Sequence, residues 1–307
     1  MDIIFDTDIG SDCDDMLALA LLLYAQRKGE CNIKAIGYSQ KLDNGVATLC
    51  ALYNYFGDKM PPIGLMHCGV AQDDKYCDLI VERFGKNTQN AEVYDDCIDL
   101  MRKTLAESES KITICAVGPL TNIAALINSQ PDSYSELDGR ELLKQKCDRI
   151  VTMSGGAIED EGDHFPEYNA RVDVEATRTV LQNSPVDVIV SPVELGLTTL
   201  TAKDIVNKYD GEDPLTLSYL QFPDGKTGRH SCDPVTVLYM LYGVCDYFTE
   251  SKKGKMTVCD NGATYFTEDS CGNCTWLCQR VLDNETEEQS RSRVAKRIDD
   301  AVGSIMK

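Results

Sequence analysis

Hydrophobic positions along the chain fall into short β-rich runs that alternate with longer segments of helical spacing. Ile3 to Phe5, Ile33 to Tyr38, Pro62 to Met66, Lys111 to Val117, Asp148 to Met153 and Val186 to Val190 predict strands. Gly45 to Phe56, Tyr94 to Glu107, Leu120 to Asn128 and Val174 to Gln182 predict helices between them. From Asp15 to Lys28 apolar residues occupy most sides of the predicted helix, so it is expected to be buried, with Gly29 as its stop. This alternation predicts an α/β fold: a mostly parallel, open, Rossmann-like sheet with helices on its faces. Past about residue 195 the pattern turns more helical, at Ala202 to Tyr209, Pro214 to Leu220 and Pro234 to Tyr242. Asp260-Asn261-Gly262 then signals a type I′ hairpin turn, and Val294 to Ile305 a final amphipathic helix. No repeat and no long Pro/Gly/Ser linker interrupts the pattern, so one domain over residues 1–307 is the simpler reading.

Composition narrows the partners. Thirty Lys+Arg stand against 50 Asp+Glu, a formal charge of -20 that repels nucleic acid and anionic membrane surfaces alike. No apolar stretch approaches the roughly 20 residues a bilayer span requires. The start, Met1 to Asp6, has no basic segment ahead of an apolar one, so no signal peptide is read. The 14 cysteines are too sparse for a disulfide scaffold, and several lie inside apolar runs, which together predict a reducing cytoplasm. Cys271, Cys274 and Cys278 have a spacing that suits a soft metal or an iron–sulfur cluster. No fourth ligand stands nearby, and Thr275-Trp276-Leu277 reads as strand, so structural thiols are expected.

The acids are unevenly placed. Five carboxylates, Asp6, Asp8, Asp12, Asp14 and Asp15, occupy the ten residues that leave the first strand and enter the buried helix. That is where open α/β sheets bind ligands. Helix capping accounts for Asp12 or Asp14, and the helix dipole for Asp15, but neither accounts for Asp6 and Asp8. Clustered carboxylates take up protons or a cation, and oxygen ligands select a hard ion such as Ca²⁺ or Mg²⁺. The spacing of an EF-hand loop is absent.

Asp6-Thr7-Asp8-Ile9-Gly10, followed by Asp14-Asp15 and an Ala/Leu-rich helix, resembles the N-terminal signature of the inosine/uridine-type nucleoside hydrolases. Val117-Gly118-Pro119-Leu120-Thr121-Asn122, Met153-Ser154-Gly155-Gly156-Ala157, Glu167-Tyr168-Asn169 before Val172 to Ala176, and Cys232-Asp233-Pro234 continue the resemblance in order along the chain. It implies hydrolysis of the N-glycosidic bond of ribonucleosides around a bound Ca²⁺. Asp8, Asp15, Asp233 and the Val117 carbonyl would hold the ion, and Asp8 would also serve as general base. Asp14 and Asn169 would bind the ribose 2′- and 3′-hydroxyls, Glu167 hydroxyls toward the 5′ end, and Met153 would lie beside the sugar. Asp6 would orient its neighbours. Homodimers or homotetramers are usual in the family, and salvage of nucleosides is the role the resemblance suggests.

Two departures stand out. The commoner family loop is shorter, and here Asp12 and Cys13 lengthen it before Asp14. Well-studied relatives carry a His directly before the late Asp as acid for the leaving base, whereas this chain has Cys232, as a subset of the family does. His230 is a substitute, with a capping or surface role as its plainer reading; Glu161, His164 and Tyr239 are weaker candidates. Two alternatives compete: a Mg²⁺-dependent haloacid-dehalogenase-like phosphatase, which shares the Asp-x-Asp but has Thr or Val where this chain has Gly10, and a catalytically impaired Ca²⁺-stabilised binding protein.

Overall fold

Ile3, Ile4 and Phe5 are fully buried because the first strand lies in the interior of the sheet, with helices over both faces. Alternate residues point to opposite sides: Ile3 and Phe5 pack into one core, Ile4 into a second. The computed structural model of the protein describes residues 1–66, 69, 73–86, 91–157, 159–160 and 163–307. Six strands in chain order, β1 (Asp2–Thr7), β2 (Asn32–Tyr38), β3 (Ile63–Leu65), β4 (Val93–Tyr94), β5 (Ile112–Ala116) and β6 (Cys147–Met153), form a parallel array in the order β6-β5-β1-β2-β3-β4. Strand Val188–Ser191 extends it in parallel beside β6, and Cys274–Gln279 follows, also parallel. Gly254–Val258, Thr264–Glu268 and Phe248–Glu250 then add antiparallel pairings, giving a mixed, mostly parallel sheet of 11 strands.

The strand order turns back at β1: the chain runs from β1 outward through β2, β3 and β4, then returns to β5 on the other side of β1. A reversal of this kind opens a crevice beyond the carboxyl ends of the two strands. Helix α1 (Asp14–Arg27) leaves that crevice and packs against helix Cys232–Tyr242. Met16 to Leu23 are all fully buried, so the expected buried helix is found, and Gly29 follows it at φ +73°.

Several local expectations are corrected. The fourth strand is only two residues long, and the helix expected from Tyr94 begins at Cys97, where the Asp96 carboxylate accepts the Ile98 N–H at 2.9 Å. Helices Cys77–Phe84 and Gly139–Lys146 lie in segments that carried no prediction. The last helix, Glu287–Gly303, starts well before Val294, because Thr286 and Gln289 close a reciprocal capping box. In the hairpin, Asn261 is not left-handed. Gly262 alone takes φ +92°, and its N–H donates to the Cys259 carbonyl at 3.0 Å, so a type I turn followed by a glycine bulge replaces type I′. Among the described residues no helix is long and apolar enough to cross a membrane.

Candidate active site

The acidic turn sits in the crevice beyond β1. Gly10 adopts φ +127°, and a Cβ there would lie 2.5 Å from Leu42 and 2.9 Å from the Cys77 sulfur, so only glycine lets the turn fold back on the sheet. Asp14 and Asp15 open α1, and Asp233 lies in the first turn of Cys232–Tyr242. The packing of these two helices brings one carboxylate oxygen from each of the three within 4.8 Å of one another. All three are buried. The Thr7 hydroxyl donates to Asp15, and the Asp233 N–H donates to Asp14 at 3.1 Å. Burial, reinforced by neighbouring carboxylates, drives the Asp15 and Asp233 carboxyls well above the ordinary range, and that of Asp14 to about 7. The helix-capping alternative is not what these acids do: Cys13 occupies the N-cap position of α1 and no side chain caps it.

The remaining predicted residues surround the same pocket of about 620 Å³, whose walls include Asp8, Val117, Met153, Glu167, Asn169 and Cys232. Asp8 accepts the Ser11 hydroxyl at 3.2 Å, and its charge helps to raise Asp6, Asp15 and Asp233. Behind Asp8, Gly118 has no room for a side chain: a Cβ would fall 2.7 Å from Asp8 Oδ1 and 2.6 Å from Ser39 Oγ. Asn169 Nδ2 donates to the Val117 carbonyl at 2.8 Å and to the Met153 carbonyl at 3.2 Å, with the Met153 sulfur at 3.3 Å. Both oxygens of Glu167 accept backbone N–H groups, from Asn169 at 2.8 Å and from Gly155 and Ala170 at 2.9 and 3.0 Å. Glu167 thus caps the short helix Tyr168–Val172 and ties it to the end of β6 while facing the pocket. Burial lifts its carboxyl to about 7 against the effect of those hydrogen bonds. Asp6 is fully buried beneath the site, held by Asn122 Nδ2 at 2.8 Å, and burial raises it to about 7.

Two further groups complete the wall. Asp12, from the lengthened loop, is gripped by Arg229 through Nε at 3.0 Å and Nη2 at 2.9 Å, and meets His230 Nε2 at 3.1 Å. Burial opposes ionisation of Asp12, but the hydrogen bonds of His230 and Arg229 outweigh it and hold the carboxyl well below its usual range. The Asp12 hydrogen bond in turn raises His230. His230 lies on the two-residue strand Arg229–His230 and lines the pocket, so the helix-capping reading of it is corrected. Phe165, Tyr168 and Leu197 add an apolar, partly exposed rim that hydrophobic pattern alone did not mark as a site.

The weaker candidates lie elsewhere. Tyr239 donates to Glu250 at 2.5 Å, and His164 pairs through Nδ1 with the Thr264 carbonyl and stacks on Tyr265; neither lines the pocket. Glu161 and Cys68 fall outside the described residues. The 13 described cysteines are free thiols, and Cys271, Cys274 and Cys278 form no metal-binding group among the described residues.

Comparison with known proteins identifies what this architecture belongs to. The fold is shared with solved structures of nucleoside hydrolases. The crystal structure of an inosine-uridine preferring nucleoside hydrolase from Bacillus anthracis superposes with a TM-score of 0.69 over 96% of this chain and 99% of that one, at 19% identity. A purine-preferring ribonucleoside hydrolase from Gardnerella vaginalis gives 0.68 over 98% and 99%, at 17% identity. In sequence, a pyrimidine-specific ribonucleoside hydrolase, RihA, from Citrobacter koseri is 27% identical over 272 residues, covering 78% of each chain. The model of the inosine-uridine preferring nucleoside hydrolase family matches residues 3–302. The chain belongs to this family and is therefore an N-glycosyl hydrolase. The family match over nearly the whole chain does not favour the phosphatase alternative.

Proposed function

We propose that the protein hydrolyses ribonucleosides to free base and ribose in a Ca²⁺-dependent reaction, with Asp8 as general base. The observation that carries this reading is the convergence of Asp14, Asp15 and Asp233 within 4.8 Å in a buried pocket. Arg229 and His230 pair with Asp12 rather than with these three, so the cluster's charge is left for a cation to offset. The donors are all oxygen, which fits a hard divalent ion. Asp8, Asp15, Asp233 and the Val117 carbonyl would hold it. That carbonyl accepts Asn169 and keeps a second lone pair. When bound, the ion offsets the carboxylate charge and makes a water in the pocket more acidic.

Asp8 takes the proton of the attacking water as the water oxygen adds to the anomeric carbon. Asp14 and Asn169 receive the 2′- and 3′-hydroxyls, and Met153 packs beside the ring. Glu167 accepts a hydroxyl toward the 5′ end with lone pairs that its backbone partners leave over. Carboxylates on one side of the sugar stabilise positive charge as it develops on the ribose. An uncharged nucleoside suits such a wall, whereas a nucleotide adds a phosphate to it. A cytoplasmic setting agrees with the free cysteines; nucleoside salvage and assembly as a dimer or tetramer belong to the same reading.

Ribose release measured by a reducing-sugar assay across purine and pyrimidine nucleosides tests it. The expected result is activity that chelation removes and Ca²⁺ restores, with Asp8→Ala lowering kcat/KM by about 10²–10⁴-fold. Activity undiminished by exhaustive chelation would contradict the mechanism.

A further inference from the structure

We infer that Tyr76 is a positioning residue whose hydroxyl fixes the acidic turn in the shape the cation needs; this rests on the Ca²⁺-dependent reading above. Gly10, Ser11 and Asp12 lie between Asp8 on one side and Asp14 and Asp15 on the other, and all four acids line the pocket. The shape of the turn therefore sets how those carboxylates stand relative to one another. A turn that is already rigid when the ion arrives favours binding, because ordering a loose one costs conformational entropy.

The turn's own bonds are short-range. Ser11 reaches Asp8 at 3.2 Å, and the Cys13 N–H reaches the carboxylate of its neighbour Asp12 at 2.6 Å. Cys13, at the start of α1, offers no side-chain bond that would anchor the turn to the helix. The backbone anchor comes from a segment more than 60 residues further on. The Tyr76 hydroxyl accepts the Gly10 N–H at 2.8 Å and donates to the Asp12 carbonyl at 2.7 Å. Beside it, the Lys75 N–H donates to the Gly10 carbonyl at 2.9 Å. One phenol oxygen thus bridges the two ends of the turn, spending its proton on one and a lone pair on the other.

Tyr76 is itself held. Asp74 accepts the N–H groups of Tyr76, Cys77 and Asp78 at 2.9, 2.7 and 3.1 Å, which fastens the start of helix Cys77–Phe84 directly behind the phenol in sequence. Tyr76 is 1% exposed and Gly10 is buried, so without the hydroxyl the Gly10 N–H loses its partner where water has little access. Asp12 is then pinned twice, at its carbonyl by Tyr76 and at its carboxylate by Arg229. Tyr76 is not part of the pocket wall, although Asp73 and Lys75 just before it are. It acts through the turn and not by contact with substrate.

Titration calorimetry of chelator-stripped protein with CaCl₂ tests this. Tyr76→Phe keeps the ring and removes the hydroxyl, and its Kd for Ca²⁺ should rise by about 10-fold or more. The Ca²⁺ concentration that gives half-maximal ribose release should rise in parallel. A purely structural hydroxyl would instead lower the urea midpoint and leave Kd unmoved, and that outcome overturns the role given to Tyr76 while leaving the cation reading intact. Hydrogen exchange of metal-free wild-type protein needs no variant to fold: the Gly10 amide should be protected before any Ca²⁺ is added. Free exchange at Gly10 that Ca²⁺ alone suppresses also overturns the role, because the ion and not the phenol would then shape the turn. Wild-type protein that binds no Ca²⁺ overturns the underlying reading, and this one with it.

Discussion

Three carboxyls, those of Asp6, Asp14 and Glu167, are pushed up to about 7, in each case chiefly by burial. In the unfolded chain such groups titrate near about 4. Between those values the metal-free folded protein retains protons that the unfolded chain has released. Their contribution to stability is therefore fully present below about pH 4 and is lost as pH rises through 7. Metal-free protein should melt at a lower temperature at pH 8 than at pH 5, as read by calorimetry; a melting temperature that rose over that interval would contradict the burial argument. At this scale much of the site was legible. Five acids in ten residues at a strand end have few uses, and the structure brings Asp8, Asp14 and Asp15 to one pocket. The grip of Arg229 on Asp12 was not legible, because 217 residues separate the two and neither sits in a local pattern that predicts its partner. Glu167 shows a second limit: a pocket residue and a helix cap look alike in sequence, and here one side chain is both.

Among elements, the turn after β5 controls the geometry of Asp8. Gly118→Ala places a Cβ 2.7 Å from Asp8 Oδ1 and 2.6 Å from Ser39 Oγ, so the carboxylate must move. The expected outcome is a fall in kcat/KM of about 10²-fold, the usual consequence of misplacing a reacting group by about 1 Å. Overpacking should cost only about 1–3 kcal/mol of stability. Steady-state kinetics beside a urea titration separates the two; wild-type activity in this variant would show that Asp8 has slack. The predicted elements that the structure reproduces include those with dense apolar runs, such as α1 and β5. Strand β4 escaped because two residues have no period, and Gly139–Lys146 because its apolar face is only Leu142 and Leu143 among charged neighbours. The early start of the last helix was readable: Thr286-Glu287-Glu288-Gln289 is a capping-box sequence, and the acidic run hid it.

For the molecule as a whole, a formal charge of -20 means that any salt relieves some self-repulsion. Binding at one site is a different effect. Ca²⁺ at 100 times its dissociation constant should stabilise the fold by about 2.7 kcal/mol. The matching rise in melting temperature is several degrees for a chain of this size. NaCl at equal ionic strength should give markedly less, and equal shifts would assign the effect to screening. The increment should also be larger at pH 8 than at pH 5, since the cation favours ionised carboxylates.

The docking of helix Cys232–Tyr242 against α1 also sets an order of events during synthesis. Asp8, Asp14 and Asp15 leave the ribosome with the first strand, whereas Arg229 and Asp233 are made more than 200 residues later. Until then the acidic loop lacks the guanidinium that pins Asp12 and the carboxylate that completes the cluster, and water must solvate it. A nascent chain that already contains β1 to β6 has most of the parallel sheet but not yet the completed acidic cluster, so this long-range docking step and the birth of the active site are a single event.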